Sequence, residues 1–246
     1  MYKTSLTLIG VLVLVLLSTA CQPIQPVQEA TGVSVDQALQ TTTSEVLFEQ
    51  DTELVSNQVY VKVRHVTFDV GQKTSEHTHA GPGARYVLKG EMEVSEAGNT
   101  QTFKAGEIFW ETGVLMTAEN VSDGESEVII VELLPVEADN ATTENAVATL
   151  SPDVLFEIET ELVSNQVHVK VRHVTFPVGV KTAEHTHLGP GPRYVLNGKA
   201  EIIEGGETGT FNTGEVFWES GSLMTAENIG DDEMEVIIFE LLPPSE

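Results

Sequence analysis

The sequence predicts an all-β protein made of two tandem antiparallel β-barrels that pair within one chain. Residues 46–135 return as residues 154–243 at a constant offset of 108 positions, and 64 of the 90 aligned positions are identical. Each copy consists of β-branched and aromatic runs separated by glycines at turn spacing. No stretch of the mature chain has a convincing helical period. A duplicated barrel of this kind favours an intramolecular pseudo-dimer.

The N-terminus has the pattern of an export signal. Lys3 precedes the apolar run 6–17, which is too short to span a bilayer, and the run ends at Leu17-Ser18-Thr19-Ala20-Cys21. This ending resembles a bacterial lipobox, although a strict lipobox has an aliphatic residue where Ser18 stands. The resemblance implies a lipid on Cys21, the only cysteine, and a cell-membrane or cell-surface lipoprotein. The alternative is an ordinary signal peptide with an incidental cysteine.

Composition and repeats predict the layout of the chain. Residues 1–20 form the lipoprotein signal peptide, and residues 21–45, rich in Gln, Pro, Thr and Ser, form a flexible tether. The two barrels comprise residues 46–136 and 154–246. A small acidic linker, residues 137–153, lies between them.

The charge of the chain limits its partners. There are 12 basic and 38 acidic residues, for a formal net charge of −26. Such an acidic protein is a poor partner for nucleic acid or for an anionic membrane surface. We therefore expect a small-molecule ligand, contact with the membrane only through the lipid anchor, and no nucleic acid, with homo-oligomer formation left open.

A histidine pair in each repeat is the main candidate site. His77 and His79 stand two residues apart before a Gly/Pro turn, and His185 and His187 repeat the pattern. Residues i and i+2 of a strand point the same way, so two imidazoles on one face could share a metal ion or one ligand.

These motifs resemble the first signature of the cupin superfamily, and the duplication resembles a bicupin. The matching positions are Gly71, His77, His79 and Gly90, repeated as Gly179, His185, His187 and Gly198. A looser second signature runs from Gly106 to Asn120, and from Gly214 to Asn228. The resemblance implies jelly-roll-like cupin barrels and a metal held by two His, a Glu and a third His. Here the Glu position is Gly83 or Gly191, and the third His position is Met116 or Met224.

Other residues could complete the sites. Alternation from Gly106 places Glu111, and likewise Glu219, on the face that points inward in cupins, whereas a one-residue register shift would turn them to solvent. Met116 and Met224 are either thioether ligands, which would suit copper, or core residues.

Arg85 and Arg193 share strand parity with the vacant Glu position. An inward arginine beside two histidines would disfavour a divalent cation and could bind a carboxylate, sulfate or phosphate group. Equally, Arg85 could form an internal ion pair with Glu111 or another acidic residue and close the barrel.

Three functions remain open. The first is a surface-tethered module that binds a metal ion or a small polar or anionic ligand in each barrel. The second is a metal-dependent oxygenase or isomerase with Glu111 and Glu219 as ligands, and the third is a structural barrel with vestigial sites. Iron, manganese, zinc and copper are all open as the metal, as is a site without metal, and no catalytic residue is assigned.

Overall fold

The computed structural model describes residues 41–136 and 152–244. All the helix or strand elements assigned within these ranges are β-strands, and none is a helix, which confirms the predicted all-β class. Contacts divide the chain into the units Met1–Ala38 and Leu39–Glu246, and the described residues lie in the second. Cys21, the signal peptide and most of the predicted tether and linker lie outside them. The described part contains no helix that is long and apolar enough to cross a membrane.

Each repeat contributes eight strands in the same order. The first repeat contains β1 (Thr43–Glu53), β2 (Gln58–Phe68), β3 (Gly83–Lys89), β4 (Glu91–Glu96), β5 (Asn99–Lys104), β6 (Ile108–Glu111), β7 (Met116–Asn120) and β8 (Ser126–Pro135). The second contains β9 (Asp153–Glu161), β10 (Gln166–Phe176), β11 (Gly191–Asn197), β12 (Lys199–Glu204), β13 (Glu207–Asn212), β14 (Val216–Glu219), β15 (Met224–Asn228) and β16 (Met234–Leu242).

The strands form four antiparallel sheets, two to each barrel. The first barrel combines a five-stranded sheet in the order β6-β3-β8-β2-β9 with a three-stranded sheet in the order β5-β4-β7. The second combines β1-β10-β16-β11-β14 with β13-β12-β15. Closing a barrel from two antiparallel sheets leaves few exposed strand edges and encloses a core where side chains can meet.

The two repeats exchange their first strands. Strand β1 of the first repeat pairs with β10 from Thr43↔Thr175 to Glu53↔Gln166, and β9 of the second repeat pairs with β2 from Gln58↔Glu161 to His65↔Asp153. Each barrel therefore contains one strand that comes from the other repeat. The sequence assigned residues 46–136 to one barrel and residues 154–246 to the other, whereas each barrel contains a strand from the other range. Strand β1 also begins at Thr43, three residues before the first range.

Alternation along the five-stranded sheets gives each sheet two buried faces. In β2, Val61 and Val63 point towards the other barrel, where they join a core cluster that contains residues of both repeats. Val66 and Phe68 point into their own barrel and join a separate cluster. Burying a Val or Phe side chain contributes about 1.5–3 kcal/mol. The shared cluster therefore holds the two barrels together, and the inward face carries the residues of the site.

Candidate functional site

The histidine pair lies on an extended segment that runs beside β7. The backbones of His77 and Met116 exchange hydrogen bonds, at 3.1 and 2.9 Å between nitrogen and oxygen, and the His79 amide donates to the Gly113 carbonyl at 3.2 Å. This pairing points both imidazoles to the same side, as their spacing predicts. Their Nε2 atoms are 3.1 Å apart.

The opposite wall consists of charged side chains from four strands. Arg64 on β2, Arg85 on β3, Glu111 on β6 and Glu132 on β8 are all buried, and Arg85 has no exposed surface. Gly83 pairs with Glu111 on one side and with Glu132 on the other, so the strand register brings the two carboxylates to the same level of the barrel.

These side chains form one connected ion network. Arg85 Nη2 lies 2.6 Å from Glu111 Oε2 and 3.7 Å from Glu132 Oε1, and Arg64 Nη2 lies 2.7 Å from Glu132 Oε2. His79 lies between the carboxylates, with Nε2 at 3.0 Å from Glu111 and Nδ1 at 3.0 Å from Glu132. Two guanidinium groups, together with His79 when it is protonated, thus face two carboxylates inside the barrel.

The network moves the pKa of the two histidines in opposite directions. Burial lowers the pKa of His79, but the hydrogen bonds to Glu111 and Glu132 outweigh burial, so the net pKa is raised. Burial also lowers the pKa of His77, and there the lowering prevails. His77 Nδ1 lies 2.9 Å from the Ser75 carbonyl oxygen, to which it donates, so its Nε2 carries a lone pair. The pair therefore combines His79, whose raised pKa favours the protonated imidazolium, with His77, whose lowered pKa favours the neutral imidazole.

The carboxylates are held ionised. Burial raises the pKa of Glu132, but the hydrogen bond from His79 and the guanidinium groups of Arg64 and Arg85 outweigh it and bring that pKa to about 2. Burial likewise raises the pKa of Glu111, and Arg85 followed by His79 brings it below its usual value. Both groups are anions at neutral pH.

Some polar atoms of the network lack an aligned hydrogen-bond partner. Arg85 Nε, Arg85 Nη2 and Glu111 Oε2 are buried and make no well-aligned hydrogen bond, although Arg85 Nη2 and Glu111 Oε2 lie at ion-pair distance from each other. Leaving a buried donor unsatisfied costs about 1–3 kcal/mol. Arg85, His77, His79, Glu111 and Met116 line one cavity of about 30 Å³, large enough for a water molecule or one functional group of a ligand.

The second repeat rebuilds the network with small differences. Arg193 Nε and Nη2 each lie 2.8 Å from Glu219 Oε2, and His187 lies 3.2 Å from Glu219 and 3.1 Å from Glu240. Arg172 Nη2 lies 2.6 Å from Glu240.

The histidine pair of the second repeat has the same arrangement. The ring centroids of His185 and His187 are 5.0 Å apart, against 4.8 Å between His77 and His79. Met224 pairs with His185 through its backbone and is buried, as Met116 is beside His77.

The structure thus brings the predicted residues together, with Glu111 and Glu219 pointing inward. Of the two open interpretations of Arg85, the internal ion pair is the one present. Sequence reasoning missed Glu132 and Arg64. Both left a signal: Glu132 interrupts the apolar run of β8, and Arg64 shares the parity of the inward-facing Phe68.

The ligand set that the cupin resemblance implies does not fit these residues. A Cβ on Gly83 would lie 2.0 Å from the Val131 carbonyl oxygen and 2.5 Å from Arg85 Nη1, so the backbone leaves no room for any side chain at position 83 and the Arg85 guanidinium lies beside it. A divalent ion on His79 and Glu111 would meet a buried cation that already contacts Glu111, while His79 donates to both carboxylates. In residues 41–136 and 152–244 no group of three or more His, Cys, Asp or Glu is arranged to hold a metal ion.

Solved structures resemble this chain in fold and share little of its sequence. AerE from Microcystis aeruginosa is 14% identical, with a TM-score of 0.56 over 80% of this chain and 99% of that one. Oxalate decarboxylase of Bacillus subtilis, which has Mn(II) centres, is 13% identical, with a TM-score of 0.53 over 82% and 78%. Oxalate decarboxylase of Lactobacillus farciminis, solved as a formate complex, is 12% identical, with a TM-score of 0.54 over 82% and 87%. No curated protein matches the chain in sequence.

The family comparison falls on the first repeat. Residues 64–132 match the cupin domain family, and this range begins at Arg64 and ends at Glu132, so it contains the whole ion network. The match supports the resemblance that the histidine motif indicated. Residues 64–132 therefore match the cupin domain family, and the described residues have the cupin jelly-roll fold.

Proposed function

We propose that this chain is a surface-tethered bicupin binding protein whose barrels hold a small polar or anionic group without a metal ion. The observation that carries the proposal is Arg85, which lines the same cavity as His77 and whose buried Nε atom has no aligned acceptor. Its Nη2 atom is already 2.6 Å from Glu111, so Nε is the donor that a carboxylate or a similar planar group would engage. The neutral His77 adds an acceptor for a hydroxyl or a protonated acid.

The charge of the network supports a site without metal. Arg64, Arg85 and a protonated His79 together exceed Glu111 and Glu132 by one positive charge, so a divalent cation would add further uncompensated charge to a buried site. A small anion would offset the excess positive charge, and an acid that enters with its proton would leave the charge unchanged. This favours the binding module over a metal-dependent enzyme.

Formate, the smallest carboxylate, is the probe for this site. The full chain in detergent, labelled with ¹⁵N at its seven histidines, would be titrated with sodium formate and with sodium chloride as the salt control. We expect formate to shift the ring nitrogens of His77 and His79, and Arg85→Met to abolish that shift. His168, which is partly buried and lies outside both barrel networks, serves as the internal reference. Equal shifts with formate and chloride, or shifts that survive Arg85→Met, would overturn the proposal.

Tethering through Cys21 is the second part of the proposal. Its support is the apolar run that ends in Ser18-Thr19-Ala20-Cys21, followed by a polar stretch before β1. We expect the mature N-terminal peptide to carry acyl chains by mass spectrometry, and Cys21→Ala to release the protein from membranes. A mature chain that begins at another residue and carries no lipid would contradict this.

The same geometry also favours a metal-independent acid–base enzyme as a second candidate. His79 donates to two carboxylates and can hold a proton, whereas His77 Nε2 carries a lone pair 3.1 Å away. A neighbouring acid and base is the arrangement that proton transfer between two carbon atoms of one substrate requires. Solvent deuterium incorporated into a small keto acid that places only its reacting group in the cavity of about 30 Å³, and lost in His77→Gln, would favour this candidate over simple binding.

A further inference from the structure

The two barrels hold their buried arginines in different ways. In the second barrel Arg193 Nε donates to Glu219 at 2.8 Å, and Nη1 donates to the Phe239 carbonyl oxygen at 2.8 Å. The remaining nitrogen, Nη2, lies 2.8 Å from Glu219. In the first barrel Arg85 Nε has no aligned acceptor, and Nη1 reaches the Val131 carbonyl oxygen only at 3.4 Å. The donor that a ligand would engage in the first barrel is therefore already occupied in the second.

The repeats also differ in sequence beside the second guanidinium. The carbonyl oxygens of Pro192 and Phe239 lie 3.5 and 2.8 Å from Arg193 Nη1. The equivalent residues of the first repeat are Ala84 and Val131. A proline restricts the backbone because its ring fixes φ at about −65°, and the larger Phe239 is packed in the core that both barrels share. The repeats thus differ in sequence where they differ in contact.

The exposure of the two networks to solvent differs in the same sense. The side chain of Arg64 is 8% exposed, against 27% for Arg172. That of His79 is 5% exposed, against 12% for His187. Water screens the interaction between charges, so a contact between a guanidinium and a carboxylate is stronger in the drier network. The first barrel is therefore the more favourable setting for a charged ligand.

A ligand meets a different free-energy cost in each barrel. In the first, the unsatisfied Nε of Arg85 is a cost that exists before a ligand binds, and a carboxylate that accepts from it removes that cost. In the second, a carboxylate must first displace Glu219 from Arg193. The displaced Glu219 is buried, so it would lose its guanidinium partner inside the barrel.

We propose that the two barrels are unequal binding sites, because Glu219 and the Phe239 carbonyl already occupy the donors of Arg193. A small carboxylate binds the first barrel at least about tenfold more tightly than the second, which corresponds to about 1.4 kcal/mol. This inference rests on the proposed function, since it concerns the same arginine site, and adds which repeat binds the ligand first.

The formate titration separates this inference from the proposed function. In the full chain in detergent, labelled with ¹⁵N histidine, each histidine pair reports on its own barrel. We expect His77 and His79 to reach half of their shift at a formate concentration at least about tenfold below that required by His185 and His187. Equal midpoints would overturn the inequality and leave the proposed function standing. Shifts in neither pair beyond those with chloride would overturn both.

Matched variants test the cause of the inequality. Glu219→Gln removes the charge that holds Arg193, and we expect the midpoint of the second barrel to fall at least about fivefold. Glu111→Gln is the matched change in the first barrel, where Arg85 Nε is without an acceptor from the start, so that midpoint should change by a clearly smaller factor. Thermal unfolding checks that both variants are folded. Equal factors in the two barrels would show that only the overall charge matters and would overturn the proposal.

Discussion

Arg85 Nη2 lies 2.6 Å from Glu111 Oε2 inside the first barrel, and the same guanidinium fills the space beside Gly83. The usual cupin metal carboxylate would come from position 83. The guanidinium of Arg85 therefore lies beside the position where a metal-binding cupin has a ligand. Glu111, the carboxylate that was predicted to replace that ligand, is already paired with Arg85. The proposed function depends on the presence of this guanidinium where a metal centre would otherwise form.

Removing Arg85 should be costly to stability. Arg85→Met removes the guanidinium partner of the buried Glu111 and leaves His79 beside it, and we expect the free energy of unfolding to fall by about 3–5 kcal/mol. Arg85→Met combined with Glu111→Gln should lose clearly less, because the orphaned charge is gone. Urea unfolding of the parent, both single variants and the double variant measures this coupling. Additive losses would show that the two side chains do not act as a pair.

Glu132 should carry part of the stability towards acid. Its pKa in the folded chain is about 2, below its ordinary value of 4.5, so its contribution is present above pH 4.5 and is lost as pH falls through about 2. We expect the stability difference between the parent and Glu132→Gln to shrink across that window. Denaturant unfolding at several pH values measures it, and Glu53→Gln, at an exposed position, is the control. A difference that does not change with pH would contradict the assignment.

His79 should act in the opposite direction. Its pKa in the folded chain is raised above 6.5, so its stabilising contribution is complete below that pH and declines as pH rises through the raised value. The stability advantage of the parent over His79→Gln should therefore decrease as the pH rises above 6.5. His79 itself helps to lower the pKa of His77, so the comparison is repeated in a His77→Gln background, which removes the contribution of His77. An advantage that grows with pH would show that His79 is neutral in the folded protein.

The exchanged strands should hold the two repeats together after the chain is cut. A protease site inserted between residues 143 and 144 would allow the chain to be cut between the two repeats. The pairing of β1 with β10 and of β9 with β2 would remain after the cut. We expect the two fragments to co-elute in size-exclusion chromatography and to separate only in denaturant. The same insertion left uncut is the control. Fragments that separate in native buffer would contradict the exchange.

The sequence predicted the strand content and most of the site because both follow from local patterns. The His77 and His79 spacing and the parity of Arg85 and Glu111 translate directly into shared faces. The pairing between Arg85 and Glu111 was left open because a one-residue register shift reverses the direction of every side chain.

Two features were beyond local patterns. The exchange of β1 and β9 depends on which barrel each strand joins, and two nearly identical repeats offer equivalent partners to either strand. The role of Glu132 depends on neighbours from β2 and β3, which its own strand does not indicate, although a carboxylate between Val131 and Leu133 was a visible irregularity.

Metal content tests the central claim most directly. The full chain, purified without chelator, would be reconstituted separately with Mn²⁺, Fe²⁺, Zn²⁺ and Cu²⁺, desalted and analysed by mass spectrometry beside Arg85→Met/Arg193→Met. We expect no stoichiometric metal in the parent chain, and a gain in the variant, where His77, His79 and Glu111 are released from the guanidinium. Stoichiometric metal in the parent chain that is lost in His77→Ala/His185→Ala would contradict the account.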